Sequence, residues 1–382
     1  MTIKDAFNDS IKVPFFAPEI TDKDRKIVFN ALKSPLLTDG PILRRFEVKF
    51  ASYTDSRYAI GVSNATSALH LSLKALGIGK NDEVIIPDMT FVATASSVIL
   101  TGATPVLADV NENDMNISSD SIEKSVTSRT KAIIPVHFAG KSCNMKEIKR
   151  IAKKHDLFIV EDCAHALGTR FAGKHVGTFG DAGCFSFYPT KNITTIEGGM
   201  VTTNSQKIAK YVQRARNHGI MKSLAQRYTK GKPWEYDVTD AGYNYRIDEM
   251  RSALGLSQLE RLESVNDRRR RVCEYYNNKF QKIEWLSTPI ITKDDSCHLY
   301  ILKIKNTAKI NRDKLFEKLL KMGIRTSVHY KPLHKFTIIK RKAKIYDKLI
   351  NSRKVYDEII SLPLYPQIPT KLQNKVIDCI LR

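Results

Sequence analysis

The chain has 382 residues, 42% of them hydrophobic, and carries 62 Lys and Arg against 40 Asp and Glu for a formal net charge of +22. No run, including the N-terminal MTIKDAFNDSIKVPFF, approaches the roughly 18 apolar residues of a membrane span. The six cysteines (Cys143, Cys163, Cys184, Cys273, Cys297 and Cys379) form no CxxC pair, which speaks against a disulfide framework or a zinc site and for reduced thiols in a cytoplasm.

Such a length can bury a large core and exceeds one ordinary domain, so two are expected. The positive excess would draw nucleic acid, an anionic membrane surface or small phosphorylated ligands without choosing among them. No nucleic-acid motif accompanies Arg268-Arg269-Arg270-Arg271 or the basic stretch 331–344. On a helix, the four arginines would spread around the axis instead of forming one patch. A soluble, unexported protein is expected, with no metal, membrane or nucleic-acid partner.

In chain order, strand signals fall at 58–62, 83–87, 104–108, 132–137, 157–161, 182–186 and 199–203. Helical signals lie between them, as at 92–100, 119–125 and 145–155. The segment GVSNATSALHLSLKAL (61–76) is a small-residue turn that opens a helix near Thr66 and Ser67, with Ala68, Leu69, Leu73 and Leu76 on one face. Alternation of this kind predicts an α/β fold with a largely parallel sheet and helices on both faces. Ligand-binding residues in such sheets gather beyond the strand ends, where Phe91, His137 and Asp162 are expected. After about residue 250 the pattern turns helix-rich, with a strand candidate at 298–305. We therefore expect a large domain over 1–250 and a smaller α+β domain over 251–382.

The chemistry concentrates between 158 and 199. An apolar run, Phe158-Ile159-Val160, delivers Glu161 and Asp162 at its end, and Lys191 follows between two loop-forming stretches. Taken singly, such an Asp caps a helix and such a Lys is solvated. Together an acid and an amine can hold one ring from two ends. Pyridoxal 5'-phosphate (PLP) needs this pair: a carboxylate keeps its ring nitrogen protonated, and a lysine amine bonds its aldehyde. The free N–H groups at the helix start, with the hydroxyls of Thr66 and Ser67, suit its phosphate; simple N-capping by Asn64, Thr66 or Ser67 is the competing reading.

The segments LLTDGP (36–41), GVSNATSAL (61–69), DEVIIPDMTFVATASSV (82–98), TKAIIPVHFAG (130–140), EDCAHALG (161–168), FSFYPTKNITTIEGG (185–199), GYNYRIDEMRSALGLSQL (242–259), VHYKPLH (328–334) and SLPLYP (361–366) resemble, in this order, the DegT-like family of nucleotide-sugar aminotransferases. The resemblance implies PLP fold type I: a three-layer αβα large domain with a mostly parallel mixed sheet, and a smaller α+β C-terminal domain. It implies Lys191 and Asp162 as catalytic residues. It also places Phe91 on the pyridine face, His165 near the cofactor, and Thr66, Ser67 and Ser186 at the phosphate. Asn244 would reach across a homodimer with shared active sites; read locally, it is only a turn former.

The same resemblance implies glutamate as amino donor and a keto-sugar on UDP, dTDP or GDP as acceptor, in surface glycan or lipopolysaccharide synthesis. TKAIIPVHFAG, EDCAHALGT and HLYILKI look most like members acting at C4 of UDP-linked 4-keto sugars. Thr38, His329, Tyr330 and Lys331 lie in segments similar to those lining the substrate side. Related sugar dehydratases carry His where Lys191 stands, so transamination is expected over dehydration or another PLP lyase reaction. A basic nucleic-acid-binding regulator is a remote alternative.

Overall fold

The computed structural model describes residues 11–220, 232 and 234–382; the first ten residues of the N-terminal stretch lie outside the described residues. Helices α1 (Asp22–Ala31) and α2 (Pro41–Thr54) lead into β1 (Tyr58–Val62). Alternation follows: α3 (Ala65–Ala75), β2 (Glu83–Pro87), α4 (Val92–Leu100), β3 (Thr104–Ala108), α5 (Ser119–Ser125), β4 (Thr130–Ile133), α6 (Met145–His155) and β5 (Phe158–Asp162). A short hairpin, β6 (Arg170–Phe171) and β7 (Lys174–His175), precedes β8 (Ala182–Ser186), β9 (Gly199–Thr203) and α7 (Gln206–Ala215). The rest comprises α8 (Glu249–Leu259), α9 (Leu262–Phe280), β10 (Leu286–Ser287), β11 (Tyr300–Ile304), α10 (Arg312–Lys321), α11 (Thr337–Lys342), β12 (Lys344–Ile345), α12 (Ile350–Glu358), β13 (Ile359–Leu362) and α13 (Thr370–Leu381).

Among the described residues the main sheet has eight strands in the order β1-β9-β8-β5-β4-β2-β3-β12. All neighbours pair in parallel except at β9, which runs antiparallel to both β1 and β8. Alternating residues of each strand feed opposite faces. Val84, Ile86, Leu107, Ala132 and Val160 join α3, α4 and α7 in one core. Ile85, Val106, Ile133 and Ile159 join α5 and α6 in another, which Ala59, Phe185 and Met200 extend against α2, α8 and α9. Both faces are thus covered, giving three layers.

A second sheet, β10-β11-β13, is antiparallel and packs with α9, α10, α13 and Val13. Although it follows residue 250, β12 pairs with β3, and Leu333, Ile339 and Leu349 pack in the core of the main sheet. The four-arginine run lies on α9 and does spread. Arg268 pairs with Glu19, Arg269 is buried, and Arg270 donates to the Asp295 carbonyl. Among the described residues no helix is long and apolar enough to cross a membrane.

Candidate active site

The parallel strands end at one edge, and the antiparallel β9 begins there. Asp162 closes β5 on the face of Val160, toward α4, while Glu161 points to the opposite face. That alternation separates two buried carboxylates by role. Glu161 accepts from His137 Nε2 (3.0 Å) and from the backbone N–H groups of Gly177, Phe179 and Gly180 (2.7–2.8 Å). These partners outweigh burial and hold its pKa below the usual value. His137, whose Nδ1 accepts from Cys143 N–H at 3.1 Å, is therefore fully engaged in the scaffold, although its strand-end position suggested a place at the site. Cys163 lies within 4.8 Å of the same cluster, where Glu161 has its oxygens saturated by N–H donors.

Asp162 is 5% exposed. Its Oδ1 accepts from Ala164 N–H (3.1 Å) and its Oδ2 from the Thr94 hydroxyl (2.9 Å). Burial pushes its pKa up, opposed by these two bonds and by the Lys191 charge. Each oxygen still has a lone pair for a further donor.

Lys191 stands on the loop between β8 and β9. Its neighbours are pinned: Asn192 Nδ2 donates to Asn266 Oδ1 (2.6 Å) and to the Ser296 carbonyl (2.8 Å), and Thr194 N–H donates to Gln258 Oε1 (2.9 Å). Burial lowers the Lys191 pKa to about 8, with Asp162 opposing and Arg269 adding to the shift. A lysine so placed has a usable neutral fraction near neutral pH, which an arginine could not have.

Sheet register brings the expected phosphate donors together. Gly199 pairs with Val62 on one side and Ser186 on the other. A Cβ at Gly199 would sit 2.5 Å from the Asn64 carbonyl carbon, so the turn into α3 lies directly on this strand. The α3 N-terminus and the Ser186 hydroxyl therefore face one another across Gly199. Asn64 caps the helix, accepting from both the N–H (2.8 Å) and the hydroxyl (2.9 Å) of Ser67. Capping thus engages Ser67. Among the described residues Ser186 Oγ only accepts, from Tyr188 N–H at 3.4 Å, and keeps its proton to donate.

Above the sheet, Phe91 is 57% exposed and tilts against Tyr330 at 5.9 Å. The Ala139 N–H donates to His165 Nδ1 (3.4 Å), so the neutral ring carries its proton on Nε2 and donates it to the Tyr330 hydroxyl at 2.9 Å. The Tyr330 O–H is left free to donate elsewhere. Burial and the Lys191 charge push His165 well below its ordinary pKa and His329 down to about 4. His329 Nδ1 lies 2.8 Å from Ser361 Oγ.

The other expected residues sit differently. Lys331 is exposed with Nζ 4.9 Å from the Phe336 ring centroid. Exposed Thr38 bridges Asp248, beside Glu249, whose carboxylate accepts from the N–H groups of Gly40, Ile42 and Leu43 and ties α2 to α8. Asn244 is exposed and bridges Asn217 through its backbone. Three residues escaped sequence reasoning: Thr94; Arg269, which donates to the carbonyls of Cys297, His298 and Leu364; and His298, 4.4 Å from His165. Thr94 and His298 did lie within resembling segments, the one signal that could have found them.

A model of the DegT/DnrJ/EryC1/StrS aminotransferase family matches residues 18–381. The chain is 38% identical over 373 residues, 96% of each chain, to the spore coat polysaccharide biosynthesis protein SpsC of Bacillus subtilis. Spr1654 of Streptococcus pneumoniae in its PMP form is similar at a TM-score of 0.90 and 30% identity, over 97% of this chain and 98% of that one; it is also known in a PLP form. Helicobacter pylori PseC, an aminotransferase involved in the biosynthesis of pseudoaminic acid, gives a TM-score of 0.88 at 31% identity, over 97% of this chain and 98% of its own.

Proposed function

The chain belongs to the DegT/DnrJ/EryC1/StrS aminotransferase family, and from that premise we propose that it moves an amino group from glutamate to a nucleotide-linked keto-sugar with PLP as cofactor. The acceptor in this reading is a UDP-linked 4-keto-6-deoxyhexose, aminated at C4 for surface glycan synthesis. One observation carries the proposal: a lysine whose pKa burial brings down to about 8 shares the site with a buried carboxylate.

The donor set fits the cofactor. Asp162 has lone pairs left for a ring N–H, Ser186 keeps a hydroxyl proton for a phosphate beside the Thr66 hydroxyl and the first N–H groups of α3, and Phe91 offers an open aromatic face. When bound, PLP supplies an aldehyde that carries the amino group between substrates and a ring that takes up electron density. With PLP in place, Asp162 would keep the proton on the ring nitrogen. Lys191 Nζ would hold the aldehyde and, as a neutral amine, would take the proton from the glutamate α-carbon and supply one to the sugar carbon that receives nitrogen. Neutral His165 and Tyr330 orient oxygen atoms without adding charge to the site. Asn244, exposed on this chain, serves the phosphate of a second copy in a cytoplasmic homodimer.

The test begins with glutamate alone, which should release 2-oxoglutarate and remove the visible absorbance of lysine-bound cofactor. Borohydride should bleach that absorbance and leave the cofactor bonded to Lys191 as a secondary amine, and Lys191→Ala should show neither the absorbance nor the bond. Keto-sugars on UDP, dTDP and GDP should then restore the absorbance, UDP fastest, with nitrogen placed at C4 by NMR. Amination at C3 would correct the position and keep the class. Loss of a hydroxyl without nitrogen transfer would establish a dehydratase instead.

A further inference from the structure

His298 stands just before β11, and its backbone is fixed from both sides. Its N–H donates to the Ala139 carbonyl (2.9 Å), and its carbonyl accepts from Arg269 Nη2 (2.8 Å). The ring direction is therefore set by the scaffold, and the imidazole lies on His165 at 4.4 Å between centroids, tilted by 39°. The residue is 3% exposed, and its buried Nδ1 has no hydrogen-bond partner among the described residues. A buried polar nitrogen left unpaired is costly, and in a ligand site that cost is recovered when a ligand supplies the partner.

The surroundings select the ligand. Burial first, then the charges of Lys191 and Arg269, push the His298 pKa well below the ordinary value. His329 and His165 are neutral for the same reasons, and burial keeps the Tyr330 hydroxyl protonated. Arg269, the nearby guanidinium, spends its Nε and Nη2 donors on three backbone carbonyls. His298, His329 and Tyr330 thus present uncharged groups that both donate and accept. A carboxylate of glutamate would call for a cation, whereas a sugar hydroxyl matches a neutral imidazole in both directions.

We infer that His298 is a binding residue for the acceptor, its free imidazole nitrogen taking a hydroxyl of the sugar ring. The inference rests on the keto-sugar reading above and names a residue that selects the second substrate. His298→Phe keeps an aromatic ring against His165 and removes both nitrogens. His298→Asn puts an amide near the place of Nδ1. With the fastest acceptor of the keto-sugar panel, His298→Phe should raise the acceptor KM about tenfold, the loss of one hydrogen bond, and leave the glutamate half-reaction within about twofold. His298→Asn should recover most of the acceptor KM. An unchanged acceptor KM, equal damage to both half-reactions, or no difference between Phe and Asn would overturn the inference while leaving the aminotransferase reading intact. If the wild type reacts with glutamate and accepts no keto-sugar, the sugar-acceptor reading falls and this inference with it.

Discussion

The Thr94 hydroxyl donates to Asp162 Oδ2 at 2.9 Å, and the Thr90 hydroxyl stands 2.9 Å behind it. Having given its one proton to the carboxylate, Thr94 must accept from Thr90, so a two-hydroxyl relay steadies Asp162 from the α4 side. Burial alone would drive this carboxyl toward its neutral form, and the relay opposes that drive.

Asp162→Asn should therefore cost both half-reactions most of their rate while melting close to wild type, because the amide keeps the shape and cannot hold a ring N–H as an ion pair. Thr94→Val should cost less, about fivefold for one lost hydrogen bond of about 1 kcal/mol. Single-turnover rates with glutamate, read beside thermal melting, check both. A wild-type rate in Asp162→Asn would remove Asp162 from the chemistry.

The amine of Lys191 sets a pH dependence. Burial holds its pKa at about 8, so covalent capture of added PLP by the cofactor-free chain should rise about tenfold per unit below that value and level off above it. An unshifted lysine would keep gaining rate to about 10.4. The sign for stability follows from the same shift. The folded chain binds this proton less well than the unfolded chain, so the penalty is full below about 8 and fades as pH rises toward the unfolded value. Stopped-flow capture rates between these limits distinguish the two profiles.

Asn244 is exposed, and its backbone bridges Asn217. If it completes the phosphate cup of a second copy, mixing Lys191→Ala chains with Asn244→Ala chains should return part of the activity. One mixed site then combines both defects and the other is intact. Recovery absent after subunit exchange has been verified would refute the shared site.

Much of this was legible because the strands are short apolar runs between turn signals; β1, β2, β3, β8 and β9 fall on their expected ranges. The run expected at 132–137 stops at Ile133. Ile134 N–H still reaches Ile85, but Pro135 has no N–H to continue the ladder, and Val136 makes only an isolated bridge to Asp162. Leu157 drops out of β5 because its N–H is held by the Ala152 carbonyl at the end of α6. That Lys191 and Asp162 are buried close enough to act on one another was legible from their chemistry in a resembling motif. Arg269 was not: in a run of four arginines, nothing local tells the one buried against three carbonyls from its neighbours. His298 gains its meaning only from the Ala139 and Arg269 contacts that turn its ring into the site.

Gly199 offers the sharpest test of the anion cup. A Cβ there would stand 2.5 Å from the Asn64 carbonyl carbon and 2.9 Å from Ala65 N, both backbone atoms, so neither rotamer change nor side-chain flexing can relieve it. β9 is paired on both sides, by β1 and β8, and cannot move away. The start of α3 must yield, carrying Thr66 with it. Gly199→Ala should thus lower PLP affinity at least about tenfold and cost roughly 1–3 kcal/mol of stability from overpacking. Gly79→Ala is the control, since its Cβ would meet only the Thr101 carbonyl at an ordinary 3.7 Å. Fluorescence titration of PLP, with melting curves in its absence, reads the two effects apart. Unchanged affinity in Gly199→Ala, alongside a lowered melting point, would mean that the turn at Asn64 supports the fold and does not hold the phosphate.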